Sequence, residues 1–91
     1  MQVEYTISQA FIAINMNLIV FVGPEMENGA KAAKLSGFDN VKYFPTADVD
    51  KVSSCVLEYA NDDDFILLKA SHSMNFDMIA QKISAGEELS A

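Results

Sequence analysis

The stretch Leu18-Ile19-Val20-Phe21-Val22-Gly23-Pro24 decides the fold. Its five apolar residues, rich in β-branched and aromatic types, do not alternate with polar ones. They read as a strand buried on both faces, the kind that belongs to a parallel sheet. Pro24 suits the first turn of a helix, where its missing N–H costs nothing, and Met26, Ala30 and Ala33 give that helix a core face until Gly37 stops it.

Working outward, Val41-Lys42-Tyr43-Phe44 reads as a short strand. Pro45-Thr46 then leads into a helix with Val49, Val52, Val56 and Ala60 on one side. After the polar break Asn61-Asp62-Asp63-Asp64, the run Phe65-Ile66-Leu67-Leu68 is a second doubly buried strand. A final helix carries Phe76, Ile79 and Ile83, and the tail from Gly86 to Ala91 is expected to fray. Upstream, Val3, Ile7, Ala10, Phe11 and Ile14 recur at helical offsets, which predicts a helix over residues 3 to 15.

The resulting order, α-β-α-β-α-β-α, predicts a three-layer α/β/α fold with a mostly parallel, Rossmann-like sheet of three strands. The first helix has no strand ahead of it, so the chain is expected to lack the first strand of its domain. Residues 1 to 91 fit a single domain, and at this length only about 60 to 65% of the unfolded chain's surface is buried on folding. An uncovered apolar surface, and a neighbour to cover it, are therefore expected.

Six Lys+Arg against thirteen Asp+Glu, a net charge of -7, disfavour binding to a phosphate backbone, so nucleic acid is set aside. The longest apolar run is far short of the roughly 20 residues a membrane helix requires. The single Cys55 cannot close an internal disulfide, and no basic region with a cleavage site opens the chain, so a cytoplasmic location is expected.

Ligands of open α/β sheets bind beyond the carboxyl ends of the strands, where three turns compete. Glu25 and Glu27 follow the first, and Asp48 and Asp50 follow the second, with Thr46 expected to cap its helix. Both repel anions. The third, Lys69-Ala70-Ser71-His72-Ser73, combines a lysine ending a strand, two hydroxyls and the sole histidine at a helix start, so it can receive an anionic group. The competing reading makes Ser71 or Ser73 a helix cap, with Lys69 reaching into solvent and His72 exposed on the loop. Asp62-Asp63-Asp64 precedes its strand and is expected as a solvated turn. Cys55, in mid-helix, is expected as a small buried hydrophobe. No metal site is expected. The chain has no G-x-x-x-x-G-K-[ST] loop to cradle ATP phosphates.

The run Leu67-Leu68-Lys69-Ala70-Ser71-His72-Ser73-Met74-Asn75-Phe76-Asp77-Met78-Ile79 resembles the close of the Mur ligases, where a strand leads into K-G-S-R and a helix. The branch that adds D-alanyl-D-alanine to a UDP-N-acetylmuramoyl-tripeptide is the most similar. Lys69, Ser71 and Ile79 match. Leu18 to Gly23 resembles that family's apolar strand ending in V-G, and Gly29-Ala30-Lys31 through Phe44 resembles the segment after it.

The resemblance implies the carboxyl-terminal domain of a three-domain, ATP- and Mg-dependent amide ligase of peptidoglycan precursor synthesis. Such a domain presents the incoming dipeptide or amino acid to an acyl phosphate formed on a central ATP-binding domain. That domain would be its partner, the isolated chain would be inactive, and Lys69, Ser71 and His72 would bind the small peptide substrate. Ala70 and His72 depart from the family's glycine and arginine. Those departures suit a second reading, a stand-alone, non-catalytic interaction domain or one that self-associates.

Overall fold

The computed structural model describes residues 2–7, 16–59, 61, 63–70 and 75–90, the side chains of 87–90 excepted. Four strands, β1 (Gln2–Ile7), β2 (Leu18–Val22), β3 (Val41–Phe44) and β4 (Phe65–Ala70), form one sheet in the order β1-β4-β2-β3. Every pairing is parallel. Helix α1 (Glu27–Leu35) follows a single 3-10 turn at Pro24–Met26; α2 (Val49–Tyr59) joins β3 to β4, and α3 (Phe76–Ser90) ends the chain.

The two central strands put apolar side chains on both faces. Leu18, Val20 and Val22 of β2, with Ile66, Leu68 and Ala70 of β4, face α2 and α3 and pack with Val52, Val56, Phe76, Ile79 and Ile83. Their alternates Ile19, Phe21 and Leu67 face α1 and pack with Met26, Ala30, Ala33 and Val41. Helices thus cover both faces of the sheet, in the expected three layers. All five residues of β2 are buried, which is why that run carries no alternation.

Three expectations are corrected. Residues 2–7 form a strand, not the start of a helix; the rest of the predicted helix, 8–15, lies outside the described residues. The sheet accordingly has four strands rather than three, and the missing first strand inferred from that helix loses its premise. At the other end α3 continues to Ser90, so the backbone from Gly86 is helical rather than frayed.

The amino-terminal end of the sheet is tied by Asn17. Its backbone N–H donates to the Phe65 carbonyl (2.8 Å), its side-chain Oδ1 accepts from the Phe65 N–H (2.8 Å), and its own carbonyl accepts from the Tyr59 hydroxyl (2.9 Å). One residue before β2 thereby fixes the end of α2 and the start of β4.

Candidate functional site: the carboxyl rim of the sheet

Ile7 pairs with Ala70, Ala70 with Val22, and Val22 with Phe44, so all four strands end in one row. The three turns singled out from the sequence therefore leave from a common rim. From β2 the chain turns towards α1 on one face, and from the adjacent β4 it enters α3 on the other. This is a topological switch point, where open α/β sheets form their ligand crevice. The crevice runs between Gly23-Pro24-Glu25 and the segment following Ala70, with the turn after β3 beside it.

The first turn owes its shape to Gly23. Its φ of 103° is a left-handed value that a side chain disfavours. In that conformation its N–H donates to the Phe44 carbonyl (2.8 Å), binding the first turn to the second, while its carbonyl accepts from the Met26 N–H (3.0 Å). Glu25, exposed in the 3-10 turn, keeps this part of the rim negative.

At the second turn the helix cap is Asp48, not Thr46. Its Oδ1 accepts from the Lys51 N–H (3.1 Å) and its carbonyl from the Val52 N–H (3.0 Å). The helix begins at Val49, so the cap falls two residues later than expected, on a carboxylate favoured by the helix dipole.

The third turn differs most from its reading. Strand β4 runs through Ala70, so Lys69 is the penultimate strand residue rather than the last. It is 3% exposed, and strand alternation puts it on the α1 face with Leu67, between its register partners Thr6 and Phe21. Lys69 therefore neither extends into solvent nor stands on the tip of the turn. Burial pushes its ammonium below the ordinary lysine value. Ser71 and His72, the other two candidates, lie with Ser73 and Met74 outside the described residues.

Asn75, which sequence reasoning passed over, is the first described residue beyond that segment. Its φ is 61°, its carbonyl accepts from the Ile79 N–H (3.0 Å) to open α3, and its side-chain amide donates to the Ala47 carbonyl (3.3 Å). An asparagine directly before an apolar helical stripe was the available signal.

The opposite end of the sheet is not a competing site of the same kind. A hollow of about 370 Å³ lined by Gln2, Val3, Glu4, Met16, Phe65 and Ile66 lies at the amino ends of β1 and β4, away from the switch point. Asp63 and Asp64 belong to that end, and the Asp64 carboxylate accepts from the Asn61 N–H (2.9 Å), as a turn residue does. Among the described residues, no three His, Cys, Asp or Glu side chains converge as a metal site. No described helix is long and apolar enough to cross a membrane.

Cys55 lies on α2, half-buried, beside an open groove of about 400 Å³ with Phe44, Ser54 and Glu58. Burial pushes its thiol up; Lys42 across on β3 pulls it down and Glu58 adds to the rise. A raised pKa keeps the thiol protonated, which suits packing more than nucleophilic attack.

The fold and rim define a compact four-stranded parallel α/β domain with its crevice at the β2/β4 switch point. No family model, curated protein or solved structure matches the chain.

Proposed function

We propose that this chain is the carboxyl-terminal, substrate-positioning domain of an ATP-dependent amide ligase of the Mur type. One observation carries the reading. The two segments that resemble that family most, Leu18 to Gly23 and the run from Leu67, are far apart in sequence yet lie on adjacent strands, with Val22 and Ala70 as register partners. Their turns thus share one edge, at the place where a sheet of this type receives ligands. The peptide substrate would sit on that edge, with Ser71 and His72 reaching it from the segment after β4 and Lys69 contributing from the strand below.

The chain's described residues offer no phosphate loop and no converging metal ligands, so they do not fit ATP or magnesium by themselves. In the parent ligase ATP with magnesium activates the acceptor carboxylate on the central domain. This domain would bind and orient the incoming amine.

The test is to add the 91-residue chain to separately produced amino-terminal and central domains of a D-alanyl-D-alanine-adding ligase. Dipeptide-dependent ADP release, together with amide NMR shifts on D-alanyl-D-alanine addition confined to residues 23–25, 45–47 and 70–75, is expected. No release and no rim shifts at millimolar dipeptide would overturn the reading. The second reading, a non-catalytic interaction domain, draws on the burial of Lys69, which removes one of three proposed contacts from the surface. It requires that same silent outcome.

A further inference from the structure

We propose that Asn75 is a positioning residue, a clasp that pins the downstream end of segment 71–74 to the loop after β3. The segment has four residues and two attachment points. Upstream it begins at Ala70, which is fully buried and held between Ile7 and Val22. Downstream it ends at Asn75, whose side-chain amide donates to the Ala47 carbonyl and whose carbonyl starts α3. Ala47 is itself packed against the core and adjoins Asp48, the cap of α2. The clasp therefore joins the starts of two helices at the rim.

Asparagine meets two demands that its nearest replacements meet only singly. A φ of 61° is tolerated by glycine, asparagine and aspartate but disfavoured for other side chains. A donor aimed at a carbonyl is supplied by an amide, whereas glycine has no side chain and an ionised aspartate only accepts. Asn75→Gly thus keeps the backbone and removes the clasp, and Asn75→Asp keeps the backbone and sets a carboxylate against the Ala47 carbonyl. Asn75→Ala loses both the donor and the favoured conformation.

A clasp at this position fixes the span across which Ser71 and His72 are presented, a role that rests on the proposed function. The experiment compares the 91-residue chain with Asn75→Gly and Asn75→Asp by amide hydrogen exchange and by titration with D-alanyl-D-alanine, with thermal melting as the check on folding. In both variants the observable amides of 45–47 and 70–75 should exchange about fivefold faster, the factor expected for one lost neutral hydrogen bond. Those of β2 and β4 should be unchanged, and dipeptide affinity should fall by a similar factor. Unchanged rim exchange in a folded Asn75→Gly overturns the clasp. Faster exchange with equal dipeptide affinity overturns the positioning role. A wild-type chain that ignores the dipeptide, with rim exchange still responding to the substitutions, sinks the ligase reading and leaves the clasp standing.

Discussion

The rings of Tyr5 and Phe76 pack together, centroids 5.5 Å apart and planes tilted by 57°. The contact joins edge strand β1 to the first residue of α3, so it anchors the part of the sheet with a neighbour on one side only. Aromatic pairs of this geometry are worth about 0.5 to 1.5 kcal/mol beyond the area they bury. Tyr5 is half-buried, so Tyr5→Ala should cost about 2 kcal/mol, less than truncation of a fully buried aromatic ring. Urea denaturation measures the loss. Amide exchange should locate it in β1 and the first turn of α3, leaving β2 protected. Uniform loss of protection would contradict the edge-strand role.

Tyr5 also explains why the first element was misread. Val3 and Ile7 are four apart, a spacing that satisfies both the helical period and the strand period of two. Tyr5 separates the two periods: in a helix it would point away from Val3 and Ile7, whereas in a strand it shares their face. The alternation Gln2-Val3-Glu4-Tyr5-Thr6-Ile7 was present in the sequence, but the apolar residues continuing to Ile14 outweighed it. Strands β2 and β4 were legible because double burial demands unbroken apolar runs. That property hid the depth of Lys69, since a strand apolar on both faces gives no period from which to read facing. The bond from Asn75 to Ala47 spans 28 positions, and no local pattern encodes it.

Asn17→Ala should lower stability by about 1 to 2 kcal/mol, because the Phe65 N–H loses its side-chain acceptor at the start of a central strand. Tyr59→Phe removes only the hydroxyl donor to the Asn17 carbonyl and should cost about 0.5 to 1.5 kcal/mol. The residues share one network, so the double variant should lose less than the two single losses added. Full additivity in a double-mutant cycle would show the two bonds to be independent.

Ser53 is 3% exposed on α2, and among the described residues its Oγ has no hydrogen-bond partner. Replacing it with alanine removes a desolvated hydroxyl and raises helix propensity. Ser53→Ala should therefore stabilise the domain by about 0.5 to 1 kcal/mol in thermal or urea unfolding. A loss of stability would reveal a partner for that hydroxyl.

Cys55 should alkylate slowly near neutral pH, with a rate that climbs to a midpoint above that of a free thiol. Burial is the main cause of the shift. Lys42→Ala should move the midpoint higher by removing a favourable positive charge, and Glu58→Gln should move it lower. Iodoacetamide kinetics from pH 7 to 11 distinguish these directions. Opposite movements would mean that the groove between β3 and α2 is arranged differently.

Lys69 gives the fold a pH dependence of definite sign. Its folded-state pKa is depressed by burial below the ordinary value of 10.5. At pH values below the folded pKa the group is charged in both states, and the cost of burying that charge is fully present. As pH rises from the folded pKa towards 10.5 the folded state gives up its proton first, so the cost is progressively relieved and stability from this group rises. Lys69→Met, which keeps the length of the buried stem without the charge, should stabilise the domain at neutral pH. Its advantage over the wild type should shrink as the alkaline window is entered. Urea unfolding of both proteins between pH 7 and 10.5 measures the difference. A difference that stays constant across that range would show that Lys69 keeps its ordinary pKa in the folded protein.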